Sequence, residues 1–313
     1  MLLLLLRAPF VVKVAVMMGL SSTGELLSAL QSARDVSLIA YTLPSGRVLD
    51  GLVSAAKSGA RVRVRLEGYI YKDDGTVSGA NAAAIAALRA AGADARLVHP
   101  DAKARDAMLH CKAALVDGTL FLDDRNWPDD GADTIVRDDF ASDAQIVRDA
   151  VAGREDAPTP FFAVAKRESL ASEARLLHEA HRGDDVILES ESFGADNRVY
   201  AALDAAGRAG AHVRLLVSAR DLQGNANERG ALEKLARDGV AVRVCDDDEK
   251  FAVVEGTRGW LGSSNATAAF DHPDQIDWGA RTDAPPILDH LRQAFEQRWA
   301  TASDYTACGF MIS

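Results

Sequence analysis

The chain is poor in cysteine and in positive charge, and it has no long apolar run. Each shortage excludes something. Its 313 residues include only three cysteines, Cys111, Cys245 and Cys308. Three cannot all pair, and their spacing fits no metal-ligand pattern. A disulfide scaffold and a zinc module are therefore excluded, and a reducing compartment fits. Lysine and arginine number 35 against 46 aspartates and glutamates, a formal net charge of −11. That balance argues against a broad, non-specific nucleic-acid footprint but leaves room for a local basic site. No uninterrupted apolar run reaches the roughly 20 residues that a membrane-spanning helix needs. The opening stretch MLLLLLRAPFVVKVAVMMGL comes nearest, and Arg7 and Lys13 interrupt it. Its charge follows the apolar residues, whereas a secretory signal carries charge ahead of them. This stretch reads as a buried strand or as residues ahead of the true start, with weak membrane-surface contact as the alternative.

What is present is an ordinary soluble composition, 48% apolar and 26% charged, long enough for two domains or one large one. The chain is also written twice. DVSLIAYTL from Asp35 and DVILESESF from Asp185 both read as strands. Each is followed by Ala and Leu at helical spacing, a glycine stop (Gly59, Gly210) and a further strand. A second helix and strand follow in each half, from Asn81 and Asn227, with stops at Gly92 and Gly239. Last come HCKAALVDG, His110 to Gly118, and DEKFAVVEG, Asp248 to Gly256, each a strand pair turning at its glycine. Strands alternating with helices predict an α/β fold of two pseudo-symmetric halves, each a mixed, mostly parallel sheet flanked by helices. The halves are expected at residues 19–155 and 169–302, with residues 156–168 linking them.

HCKAALVD is an unbroken HxK(x)4D pattern, and GSSN, Gly262 to Asn265, follows the second copy. This combination resembles the phospholipase D superfamily over most of the chain, from about Ser21 to Thr301. The resemblance implies a two-half sandwich with one active site at the seam, to which each half gives a histidine, a lysine and an asparagine. One histidine attacks a phosphodiester phosphorus and becomes phosphohistidine, and the other handles the proton of the leaving or entering oxygen. No metal or other cofactor is implied. The residue types suit this chemistry. A neutral imidazole is nucleophilic near pH 7. Lysines and amides can hold the non-bridging oxygens and stabilise the charge that grows on them. Residues two apart on a strand share a face, so His110 and Lys112 should point into one site.

Carried over residue by residue, the resemblance assigns His110, Lys112, Asp117 and Asn126 to the first copy. It assigns Lys250, Asn265 and either Ser263 or Ser264 to the second, with Ser263 the better counterpart. Asp117 and Glu255 would support structure. Asp133 and Asp277 are candidates to orient a histidine. Two departures stand out. Asp248 occupies the second histidine's place, and Asp123 and Asp124 replace the glycine and serine expected before Arg125. Asp248 should be ionised among lysines, a poor acid but a usable base. Asp123 and Asp124 would add negative charge unless Lys112 or Arg125 pairs with them; Arg125, with Ser263 and Ser264, is a candidate to bind the phosphate. His272 is a candidate to replace the missing histidine.

The expected function is a metal-independent phosphodiester hydrolase or phosphatidyl transferase acting through His110. The alternatives are a non-catalytic phosphate or phospholipid binder and a nuclease on the same fold; the net charge counts against the nuclease. The expected partner is a phosphodiester, with phospholipid one candidate, which loops around Trp127 and Trp260 could receive. A cytoplasmic monomer is expected, with peripheral membrane contact as a further option.

Overall fold

A computed structural model describes residues 18–71, 77–98, 108–127, 134–154, 157–222, 226–246, 249–267 and 275–305. Asp133, Asp248, His272 and the opening stretch to Met17 lie outside the described residues.

The first half begins with β1 (Met18–Ser21), α1 (Thr23–Gln31), β2 (Asp35–Ala40), α2 (Arg47–Lys57) and β3 (Arg61–Glu67). A small pair, β4 (Ile70–Tyr71) and β5 (Val77–Ser78), precedes α3 (Ala82–Ala90) and β6 (Asp94–Val98). Three antiparallel strands follow, β7 (Ala113–Val116), β8 (Thr119–Asp123) and β9 (Ile135–Asp138), then α4 (Ala141–Val151). The second half repeats the plan with β10 (Phe162–Val164), α5 (Lys166–Leu177), β11 (Asp185–Ser190), α6 (Arg198–Ala209) and β12 (His212–Ser218). Next come α7 (Ala219–Leu222), α8 (Ala226–Arg237) and β13 (Ala241–Cys245). It closes with β14 (Phe251–Val254), β15 (Arg258–Gly262), β16 (Trp278–Thr282), α9 (Pro285–Thr301) and β17 (Ser303–Asp304).

The duplication is visible in the sheets. The first runs β1-β9-β8-β7-β2-β3-β6, and the second runs β10-β16-β15-β14-β11-β12-β13 with β17 added at its edge. β2, β3 and β6 are parallel to one another, as are β11, β12 and β13. The expectation of mostly parallel sheets holds for these three-strand stretches alone. The motif strands and those that flank them pair antiparallel and outnumber them; the two-residue and three-residue turns of β7–β8 and β14–β15 can join only antiparallel neighbours. The region expected as a linker contributes β10, which pairs with β16, and the first turn of α5.

Local chemistry explains the element ends. Asn197 caps α6 through its side chain, accepting from Tyr200 N at 2.9 Å, and Gly210 ends that helix in the left-handed region at φ 89°. The hairpin between β7 and β8 turns on Asp117 and Gly118 at φ 49° and 101°, the pair of positive φ values that a tight hairpin turn requires. The Asp117 carboxylate accepts from Arg34 N and Asp35 N, at 3.0 and 2.8 Å. It thereby ties the turn to the start of β2. Glu255 does the same for β11 through Asp185 N at 2.6 Å. Both acids sit at the end of the motif strand away from His110.

Each sheet buries one face under its own helices. Leu26, Leu52, Leu88, Val64 and Leu66 form the first such core, and Leu170, Leu203, Leu232, Val213 and Leu215 the second. A third core lies between the sheets and draws on both halves, with Ile39, Leu115, Val147, Ile187, Phe251 and Phe295. Trp127 and Trp260 are 2% and 1% exposed and belong to the helix-covered cores, so they form no apolar approach to the seam. No helix among the described residues is long and apolar enough to cross a membrane.

Candidate active site at the seam

The site is assembled where the segment ahead of β7 meets the segment ahead of β16. His110 N donates to Ile276 O at 2.8 Å, and Ile276 N donates to Met108 O at 2.9 Å. These bonds stitch the first half's motif to the second half. A buried carboxylate anchors the stitch, since Glu67 Oε2, at the end of β3, accepts from Leu109 N at 2.7 Å. Trp278 Nε1 adds a further tie, donating to Asp123 O at 2.8 Å. Just ahead of β7, the His110 and Lys112 side chains lie together.

His110 Nδ1 lies 2.9 Å from Asp277 Oδ1, and Lys112 Nζ lies 2.9 Å from His110 Nε2. An ammonium can only donate and a carboxylate can only accept. The network therefore assigns the proton to Nδ1 and the lone pair to Nε2. Asp277 is completely buried, while the His110 side chain is 15% exposed. Ser263 Oγ donates to the same Oδ1 at 2.9 Å and accepts from Trp278 N at 3.1 Å. Ser264 points elsewhere, donating to Ser169 Oγ at 2.9 Å beneath the site. The two serines left open by the motif thus have separate surroundings. Tyr41 meets the imidazole edge-on, with ring centroids 5.2 Å apart.

The second copy brings Lys250, which is buried and pairs with Glu191 Oε2 at 3.0 Å. Asn265 Nδ2 donates to the same oxygen at 3.3 Å. Glu191 directly follows β11, as Tyr41 directly follows β2, so the two halves place different chemistry at matching positions. Sequence reasoning missed Glu191. Its only signal was polar residues appearing where a buried strand ends, in LESES.

Burial sets the protonation of the cluster. It holds His110 below the ordinary imidazole range, Lys112's charge acts the same way, and Asp277 opposes both. Lys112 is brought down to about 8, mainly by burial and next by the charge of Lys250. Burial pushes Asp277 and Glu191 up, but positive neighbours outweigh it. His110 leads for Asp277, which stays below the usual carboxylate range, and Lys250 leads for Glu191, which falls to about 2.

The other first-half candidates follow β8. Asn126 is half-buried, and its Oδ1 accepts from Thr42 N at 3.3 Å. Arg125 is also half-buried and lends its backbone N to Asp123 Oδ1 at 3.0 Å. Asp123 also accepts from Trp127 N, so its carboxylate clamps the turn after β8. Its charge is one of the influences that raise Lys112. By register Asp123 corresponds to Gly262, where an added Cβ would lie 2.6 Å from Trp278 O. The glycine is needed in the second half because Trp260 and Trp278 crowd it. Among the described residues no group of three or more His, Cys, Asp or Glu side chains could hold a metal ion. Grooves of about 660 and 570 Å³ lie at the hairpin ends, beside Asp117 and Glu255, and not at His110.

The family described as "Cardiolipin synthase, PLD-like domain" matches residues 26–127 and 174–299, most of the chain and both motif copies. The chain belongs to this phospholipase D-like family. Solved structures share the fold at low identity. Phosphatidylserine synthase from Haemophilus influenzae Rd KW20 is 9% identical with a TM-score of 0.67, over 92% of this chain and 87% of that one. Polyphosphate kinase from Porphyromonas gingivalis is 15% identical with a TM-score of 0.65, over 90% of this chain. The phospholipase D-like chain spans about half, 47%, of that kinase. No curated protein matches it.

Proposed function

We propose that the chain transfers a phosphodiester group through His110, as a metal-independent hydrolase or phosphatidyl transferase. The observation that carries this reading is the seam triad: His110 held through Nδ1 by buried Asp277, with Lys112 at Nε2. An imidazole so held keeps its lone pair on Nε2, which becomes the nucleophile when Lys112 turns to the substrate. In the proposed first step Nε2 attacks phosphorus, the bond to the leaving oxygen breaks, and the ring becomes a phosphorylated imidazolium. Asp277 stabilises that cation. Lys112 leaves Nε2 for a non-bridging oxygen, with Asn126 and Lys250 as further holders of the phosphoryl group. In the second step water or an alcohol attacks phosphorus, its proton passes to solvent, where it neutralises the oxyanion released in the first step, and the P–N bond breaks, returning neutral His110.

The family description and the phosphatidylserine synthase fold support a phospholipid version of this reaction. Asp248, in the place of the second histidine, favours a second reading, in which phosphate is bound without turnover. Hydrolysis of bis(4-nitrophenyl) phosphate in the presence of a chelator separates the two. The reading expects turnover that survives chelation and disappears in His110→Ala. Equal turnover in that variant would overturn it.

A further inference from the structure

We infer that Glu191 is a specificity-determining residue that makes this site accept phosphodiester monoanions and reject phosphomonoester dianions. The inference rests on the proposed phosphate site and adds to it the class of ligand that can enter.

The second motif copy supplies two groups suited to phosphate oxygens, Lys250 and Asn265. Both are turned to Glu191 Oε2, at 3.0 and 3.3 Å. The carboxylate therefore sits where the second half would hold an oxygen of the ligand. The Glu191 side chain is 26% exposed, so solvent and small anions can reach it. Lys250 is 3% exposed and cannot turn to bulk water for another partner. An arriving anion must share Lys250 with a fixed negative charge.

The charge balance sets what can enter. Lys112 and Lys250 carry positive charge, and Asp277, Glu191 and Asp123 carry negative charge, Asp123 being committed to the turn after β8. Asp277 is committed to His110 and Ser263. A phosphodiester brings one negative charge and places its two ester arms away from the lysines. A monoester or inorganic phosphate near neutral pH brings close to two charges, with an additional anionic oxygen to place beside Glu191. The first half has Tyr41 at the matching position, which carries no charge. At this position the asymmetry is a full negative charge in one half against none in the other. One extra unit of like charge within about 5 Å, in a partly hydrated pocket, changes affinity on the order of ten- to hundredfold.

The test is binding at one pH, by calorimetry, of dimethyl phosphate and monomethyl phosphate to the parent, Glu191→Gln and Glu191→Asp. The inference expects the parent to favour the diester. It expects Glu191→Gln to shift the monoester-to-diester preference toward the monoester by at least about tenfold. Glu191→Asp, which keeps the charge, should stay near the parent. A merely structural role would weaken both ligands together and leave the ratio alone. If Glu191→Gln does not fold, the same ratio is read on Glu191→Ser. An unchanged ratio in a folded, uncharged variant overturns the inference, and so does a parent that binds neither ligand. Diester selection without His110-dependent turnover would overturn the catalytic reading and leave this inference standing.

Discussion

Replacing Asp277 by asparagine should cripple His110 without unfolding the protein. Asp277 is fully buried, and its Oδ1 lies 2.9 Å from His110 Nδ1. Attack through Nε2 turns the ring into a cation, so the carboxylate contributes most after the reaction has begun. A unit charge about 4 Å from the ring centre is worth about 4 kcal/mol at an effective dielectric constant near 20. A charge-assisted hydrogen bond alone is worth roughly 1.5–3 kcal/mol. Taken as lower and upper bounds for the same contact, these give an expected loss of about 10- to 10³-fold in kcat. An asparagine oxygen can still accept from Nδ1 and from Ser263, so the fold should survive. The amide nitrogen would replace Oδ2, which has no hydrogen-bond partner among the described residues, and this costs some stability. The assay is kcat on bis(4-nitrophenyl) phosphate across pH, with a thermal melt as the control. Burial lowers His110 and Asp277 opposes it, so removing the carboxylate charge should move the acid limb of the profile to lower pH. A folded Asp277→Asn variant with less than tenfold loss and an unmoved acid limb would refute the reasoning.

Two further outcomes follow from the same cluster. Lys112 is brought to about 8 from 10.5 in the folded protein, so the unfolded chain binds more protons between those values. Stability therefore rises with pH across that window, and Lys112→Met should lose this slope. Between pH 7.5 and 10 the parent should gain about 2 kcal/mol relative to the variant in urea melts. Equal slopes would show that Lys112 keeps an ordinary proton affinity. Asp248→His should restore proton transfer at the missing histidine's place. The preference for aryl over alkyl phosphodiesters should then narrow, within the 10²–10⁴-fold typical of general acid help. An unchanged preference in a folded variant would place the acid elsewhere.

The repeat made most of the fold legible, because four matched segments fix the same strand order in each half. What sequence missed were short elements without periodicity. β10 pairs at a sheet edge, and β9 and β16 follow segments with no clear pattern. The parallel character was overestimated because the βαβ units dominate the pattern, while the hairpins supply more of the pairings. At the site, the motif spacing pointed to His110 and Lys112, and an offset after the motif pointed to Asp277. No spacing rule could show that Asp277 reaches across the seam to the other half's histidine, since that depends on packing between the halves. Glu191 was hidden for a related reason. A carboxylate at a strand end acquires its meaning only from Lys250, 59 residues later in the chain.

The most direct test of the central claim is to trap the covalent intermediate. The parent is mixed with bis(4-nitrophenyl) phosphate, quenched in base to preserve an acid-labile P–N bond, digested, and mapped by mass spectrometry. The account expects a nitrophenyl phosphoryl group on the peptide that carries His110, absent in His110→Ala and depleted in Asp277→Asn. Turnover with no adduct, or with the adduct on another residue, would contradict it.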